Sequence, residues 1–79
     1  MKEIKIYSSA HCYKCMLAKR YLERRDIPFT NMDTEVEENL EFLRKNNALS
    51  LPVVVCGDVV AITPDNAKLD EIIELAKEA

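Results

Sequence analysis

The sequence predicts an α/β protein of element order β-α-β-α-β-β-α, with a four-stranded mixed sheet carrying helices on both faces. Three observations carry that expectation. Apolar stripes at helical spacing alternate with short β-type runs, two Val-rich runs meet at a Gly-Asp pair, and 79 residues leave room for one small domain spanning residues 1–79.

Each element has its own local reason. Lys2 to Tyr7 alternates polar and apolar residues, with Ile4 and Ile6 on one face, and stops at Ser8-Ser9, which reads as a strand. Leu17, Ala18, Tyr21 and Leu22 recur at helical spacing and predict a helix from about Tyr13 to Arg25. Ile27-Pro28-Phe29 reads as the opening of a second strand, with the proline where a missing N–H is tolerated. Thr34 and Glu37 have the spacing of a capping box ahead of Val36, Leu40 and Leu43, so a second helix is expected to end near Asn46-Asn47. Val53–Cys56 and Val59–Ile62 are β-branched runs joined by Gly57-Asp58, a two-residue hairpin turn that uses the chain's only glycine. Both runs read as strands buried on two faces. A last helix is expected with Thr63 as N-cap, Pro64 as its first residue and a stripe of Leu69, Ile72, Ile73 and Ala76.

Composition narrows the function classes. Hydrophobic residues at 48% and charged residues at 32% suit an ordinary soluble globule and exclude disorder, while a single glycine excludes collagen-like sequence. The longest apolar runs are four residues, against the roughly 20 a membrane span needs, so no membrane partner is expected. Charges at Lys2, Glu3 and Lys5 occupy the place of a signal peptide's apolar core, so a cytoplasmic location is expected. Net charge is −3, but five Lys or Arg (Lys14, Lys19, Arg20, Arg24, Arg25) crowd His11 to Arg25 against the lone Glu23. Without domain-wide basicity this is read as a solvated helix face that can steer an acidic partner, and no nucleic acid is expected.

Three cysteines in a reducing compartment call for a chemical explanation rather than a structural one. Cys12-Tyr13-Lys14-Cys15 stands where the first strand hands over to the first helix. A thiol there faces unsatisfied N–H groups and the positive end of the helix dipole, which favour thiolate, and Lys14 adds a cation. Cys15 lies one turn inside on the same side, close enough to form a disulfide with Cys12. One sulfur exposed and activated, the other sheltered and within reach, is the requirement for dithiol–disulfide exchange. A zinc site needs four ligands. Only Cys56 and His11 remain for it, with Cys56 about 13 Å along its strand from Pro52, so no metal is assigned. Pro52 marks the entry to the third strand. A cis Leu51–Pro52 bond would leave the Leu51 backbone free to pair with an extended ligand, but the residues alone favour a trans bond that merely begins a strand, since most X-Pro bonds are trans.

With these residues in place the chain resembles the glutaredoxins over nearly its whole length. The matching features are the Cys-x-x-Cys after the first strand, Leu51-Pro52 before the third, the hairpin, and Asp65 at the start of the last helix. The resemblance implies the minimal thioredoxin fold, a cis proline at Pro52 beside the sulfurs, and electron transport through a Cys12–Cys15 redox-active disulfide. It also implies a substrate surface that includes Tyr13, Lys14, Leu51, Pro52 and Asp65. The chain departs from glutaredoxins at three points: Tyr13-Lys14 replaces Pro-Tyr, Ser9 stands where a Lys or Arg is common, and Ala61-Ile62 replaces a Gly-Gly pair. Thr63-Pro64-Asp65 is more similar to the small glutaredoxin-like redoxins that reduce ribonucleotide reductase and take electrons from thioredoxin reductase.

The expectation is therefore a monomeric dithiol–disulfide oxidoreductase serving cell redox homeostasis, with no tightly bound cofactor. Its donor is expected to be a thioredoxin reductase-like or other dithiol partner, with glutathione disfavoured. The alternative is a module in which Cys12 ligates a metal or an iron–sulfur cluster shared across a dimer, as in some glutaredoxins. Cys56 is read as a small core hydrophobe, His11 as an exposed loop residue and Tyr7 as a core residue near the site.

Overall fold

The computed structural model describes residues 1–78. Its elements are β1 (Ile4–Ser8), α1 (Tyr13–Glu23), β2 (Thr30–Asp33), α2 (Glu37–Lys45), β3 (Val53–Cys56), β4 (Val59–Ile62) and α3 (Asn66–Lys77). The strands form one sheet in the order β2-β1-β3-β4. β2 runs parallel to β1, with Lys5 opposite Thr30, while β3 is antiparallel to both β1 and β4. The mixed four-stranded sheet is the expected one.

Period-two alternation divides the core between the faces. Ile4, Ile6, Val54 and Cys56 pack with Ala18 and Leu22 of α1 and with Leu69, Ile72, Ile73 and Ala76 of α3. Tyr7 and Val53 point the other way, against Leu43 and Phe42 of α2. The Tyr7 and Phe42 rings stack at 4.7 Å and 7°. Burial raises the Tyr7 phenol above its ordinary 10.0, so it stays neutral at physiological pH.

Four expectations are corrected. β2 begins at Thr30, because Pro28 has no N–H to give the ladder and Ile27 and Phe29 serve the core instead. The Thr34–Glu37 capping box does not form. Thr34 N–H extends the β1 pairing by donating to Ser8 O (3.0 Å), and Val36 caps α2 without a side-chain bond. Thr63 does not cap α3, since it sits at φ +46 and Asp65 takes the role two residues later. β4 is not buried on two faces. It is an edge strand, with only Ala61 buried and Ile62 exposed.

The glycine position holds as expected. Gly57 adopts φ +59 in the turn that sets Cys56 opposite Val59. No helix among the described residues is long and apolar enough to cross a membrane.

Candidate active site

β1 ends at Ser8, at the carboxyl end of an interior strand, and four residues later Cys12 occupies the N-cap of α1. Its backbone is extended (φ −105, ψ 106), and its carbonyl accepts the N–H of Met16 at 3.2 Å. The Cys12 side chain then does what a serine or aspartate does at other N-caps. Its Sγ accepts the N–H of Cys15 at 3.1 Å, satisfying one of the orphan donors of the first turn. The same N–H points at charge when Cys12 is reduced, and together with the helix dipole it favours the thiolate.

Cys15 belongs to the buried stripe Cys15, Ala18 and Leu22, and it is 1% exposed. Cys12 is half-buried. The two sulfurs are bonded to each other, with Cα atoms 5.2 Å apart. Cys56, the third cysteine, lies fully buried in the core beneath α1 and α3. Among the described residues no group of three or more His, Cys, Asp or Glu converges as a metal site.

A groove of about 300 Å³ runs from α1 across to the start of α3, bounded by Lys14, Leu17, Pro52, Thr63 and Asn66. The structure thus brings Lys14 and Pro52 together. The Leu51–Pro52 bond is cis, and Pro52 O accepts the N–H of Thr63 at 2.7 Å, which ties the groove floor to the end of β4. Leu51 sends its side chain to the α2 face, and its backbone makes no backbone hydrogen bond among the described residues outside the strand ladders. Tyr13 is 68% exposed and turned outward, and His11 is exposed too. Asp65 is engaged: its Oδ1 accepts the N–H of Lys68 at 2.8 Å as the cap of α3.

Three groove residues were not foreseen from the sequence. Leu17 belongs to the apolar repeat that predicts α1, but it is 44% exposed and forms a wall. The signal was available, since Cys15, Ala18 and Leu22 already fill the inward stripe and leave Leu17 and Tyr21 on its flank. Thr63 and Asn66 reach the groove only because the chain turns at Thr63, and no sequence pattern marks that turn.

No family model matches the chain. The glutaredoxin-like protein NrdH of Escherichia coli strain K12 is 37% identical over 57 residues, which span 71% of this chain and 70% of that protein. The chain belongs to the glutaredoxin-like redoxins. The structure of the E. coli NrdH-redoxin superposes on this glutaredoxin-like redoxin with a TM-score of 0.76 at 32% identity, over 92% of this chain and 93% of that one. A glutaredoxin from Archaeoglobus fulgidus gives a TM-score of 0.76 at 28% identity, over 92% and 87% of the two chains. Glutaredoxin-like redoxins are thiol–disulfide oxidoreductases, and this one is an electron carrier for disulfide substrates with Cys12–Cys15 as its redox pair. Its fold is the minimal thioredoxin fold.

Proposed function

We propose that Cys12 is the attacking sulfur and Cys15 the resolving one, and that the chain reduces protein disulfides using electrons from a dithiol or flavoprotein reductase. The reading is carried by one observation: Cys12 Sγ is half-buried at the N-cap and accepts the Cys15 N–H at 3.1 Å, while Cys15 is 1% exposed. In the reduced protein the Cys12 thiolate attacks one sulfur of the substrate disulfide. A Cys12–substrate disulfide forms, and the substrate's other sulfur leaves as a thiolate that takes up a proton. Cys15 then gives up its proton and attacks Cys12 Sγ, forming the internal disulfide and releasing the second substrate thiol. Two electrons have moved from the pair to the substrate, and the donor returns them.

Tyr13, Lys14 and Pro52 form the contact surface around Cys12 in this reading, and the unpaired Leu51 backbone holds the substrate chain by strand-type pairing. Asp65 orders the start of α3 next to it. Ribonucleotide reductase is the class of protein substrate that the redoxin resemblance favours, and a cytosolic setting goes with it. A thioredoxin reductase-like donor is favoured by the thioredoxin-like activity profile of the E. coli NrdH-redoxin. Glutathione is disfavoured by Ser9 and Ile62, where its binders commonly have a cation and a glycine. The test is to follow reduction of the oxidised protein by glutathione and by thioredoxin reductase with NADPH in parallel. Faster reduction by the reductase is expected, and reduction by neither would overturn the carrier role.

A further inference from the structure

Beside the groove that Lys14 and Pro52 line lies a second one of about 390 Å³, lined by Leu17, Arg20, Tyr21, Arg24, Arg25 and Asn66. The two share Leu17 and Asn66 as a common wall, so the surface is continuous from Lys14, two residues after Cys12, down the outer side of α1. Among the described residues none of the three arginines has an ion-pair partner, the ion pairs present being those of Arg44 and Lys68 elsewhere. Asp70 accepts the Tyr21 O–H at 2.6 Å and keeps its negative charge at that end of the groove, so three arginines stand against one carboxylate there. Arg25 lies over the Tyr21 ring at 3.5 Å from its centroid, and its guanidinium donates to Tyr21 O at 3.3 Å. That guanidinium is therefore held in place by a ring and a carbonyl, with no carboxylate within ion-pair distance among the described residues. The chain as a whole carries net charge −3, so this cationic strip is a local feature set against the molecule's own sign.

Building on the redox reading of Cys12, we propose that this groove docks an acidic segment of the disulfide-bearing protein substrate. The dimensions set the register. From Cys12 to Arg20 and Arg24 is 8 and 12 residues of helix, about 12 and 18 Å at 1.5 Å per residue. An extended chain covers about 3.3 Å per residue. The substrate's Asp or Glu residues therefore fall about four to six positions from the cysteine that Cys12 attacks. Apolar Leu17 and Met16, both partly exposed, cover the interval and suit uncharged residues next to that cysteine.

The test uses two disulfide-bonded peptides that differ only in having Glu or Gln at positions four to six from the cysteine. The wild-type protein is expected to reduce the Glu peptide with kcat/KM about five- to tenfold above the Gln peptide at low salt, as a few rim charges allow. The preference is expected to fall below about twofold in Arg20→Glu/Arg24→Glu, and in wild type as salt shortens the screening length. Arg25 is left in place because it packs on Tyr21. A binding readout stands apart from turnover: oxidised ¹⁵N-labelled wild type is titrated with the same sequences carrying Ser for Cys. Shifts centred on Arg20, Tyr21, Arg24 and Asn66 with the Glu peptide alone are expected. Equal rates for the two peptides, shifts elsewhere, or equal shifts with a single-stranded oligonucleotide would overturn the proposal. Reduction of a small uncharged disulfide reports on the redox reading separately, so its failure is not confused with that of the groove.

Discussion

Cys12 and Cys15 differ in access and in what meets their sulfurs, so their substitutions are expected to fail in different ways. Cys12→Ser removes the sulfur at the helix N-cap and is expected to abolish disulfide reduction. A serine still accepts the Cys15 N–H, so the melting temperature of reduced Cys12→Ser is expected to stay within a few degrees of reduced wild type. Cys15→Ser keeps the Cys12 nucleophile but not the release step, and is expected to accumulate mixed disulfides visible by mass spectrometry. Alkylation of the reduced wild type should label Cys12 before Cys15. Labelling of Cys15 first would reverse the assignment. The pair was legible because its chemistry depends on two residue types at one spacing and one helix start. Leu17, Thr63 and Asn66 were not, because groove walls are made by packing between elements distant in sequence. Asp65 shows a third situation. The residue was singled out as a substrate contact, and in the fold one of its carboxylate oxygens caps α3 by accepting the Lys68 N–H, a role the sequence reading gave to Thr63.

Elements with strong periodicity were legible to the residue, while those held by neighbours were not. β3, β4 and the buried stripe of α3 fall where the β-branched runs and helical spacing put them. β2 escaped because Thr30-Asn31-Met32-Asp33 has no strand signature. It is an exposed edge recruited by β1, helped by the Ser8 Oγ–H donated to Asn31 Oδ1 at 2.6 Å. The ends of α1 and α2 were approximately legible, and both close in the same way. After α1, Asp26 N–H reaches Glu23 O and Ile27 N–H reaches Leu22 O, with Asp26 at φ 56. After α2, Asn47 N–H reaches Arg44 O and Ala48 N–H reaches Leu43 O, with Asn47 at φ 54. Those paired bonds are the Schellman closure, in which glycine is the preferred left-handed residue. Asp26→Gly is therefore expected to stabilise the protein by about 0.5–1 kcal/mol, the Cβ penalty outweighing glycine's greater entropy loss. In a chain of this size that corresponds to a rise in melting temperature of roughly 2–8 °C, measurable by calorimetry. A fall in melting temperature would mean that the Asp26 side chain does more than tolerate its backbone.

At the scale of the whole molecule, a preference between electron donors is expected from the charge around the groove that Lys14 and Pro52 line. Glutathione brings two carboxylates to any site that uses it, and binding them calls for cations and for backbone near enough to donate. Lys14 is the only cation lining that groove among the described residues. Ser9 is neutral, and Ile62, 42% exposed, presents a branched side chain where glutaredoxins have glycine. The start of α3 still offers N–H groups, but that of Lys68 is taken by Asp65, whose carboxylate would also repel an incoming one. Each charge-assisted hydrogen bond forgone costs about 1.5–3 kcal/mol, so losing two weakens binding by about a hundredfold or more. A protein donor is not subject to that constraint, because it can use the apolar rim of Tyr13, Met16 and Leu17 around Cys12. Turnover with a flavoprotein reductase is therefore expected to exceed turnover with glutathione by about tenfold or more at cytosolic concentrations. The complementary change, Ser9→Lys with Ile62→Gly, is expected to narrow the gap by raising the glutathione rate while leaving the reductase rate within about twofold, since restored contacts of 1.5–3 kcal/mol serve only the carboxylates. Wild-type rates that are already equal for the two donors would return the chain to ordinary glutathione-dependent glutaredoxin behaviour.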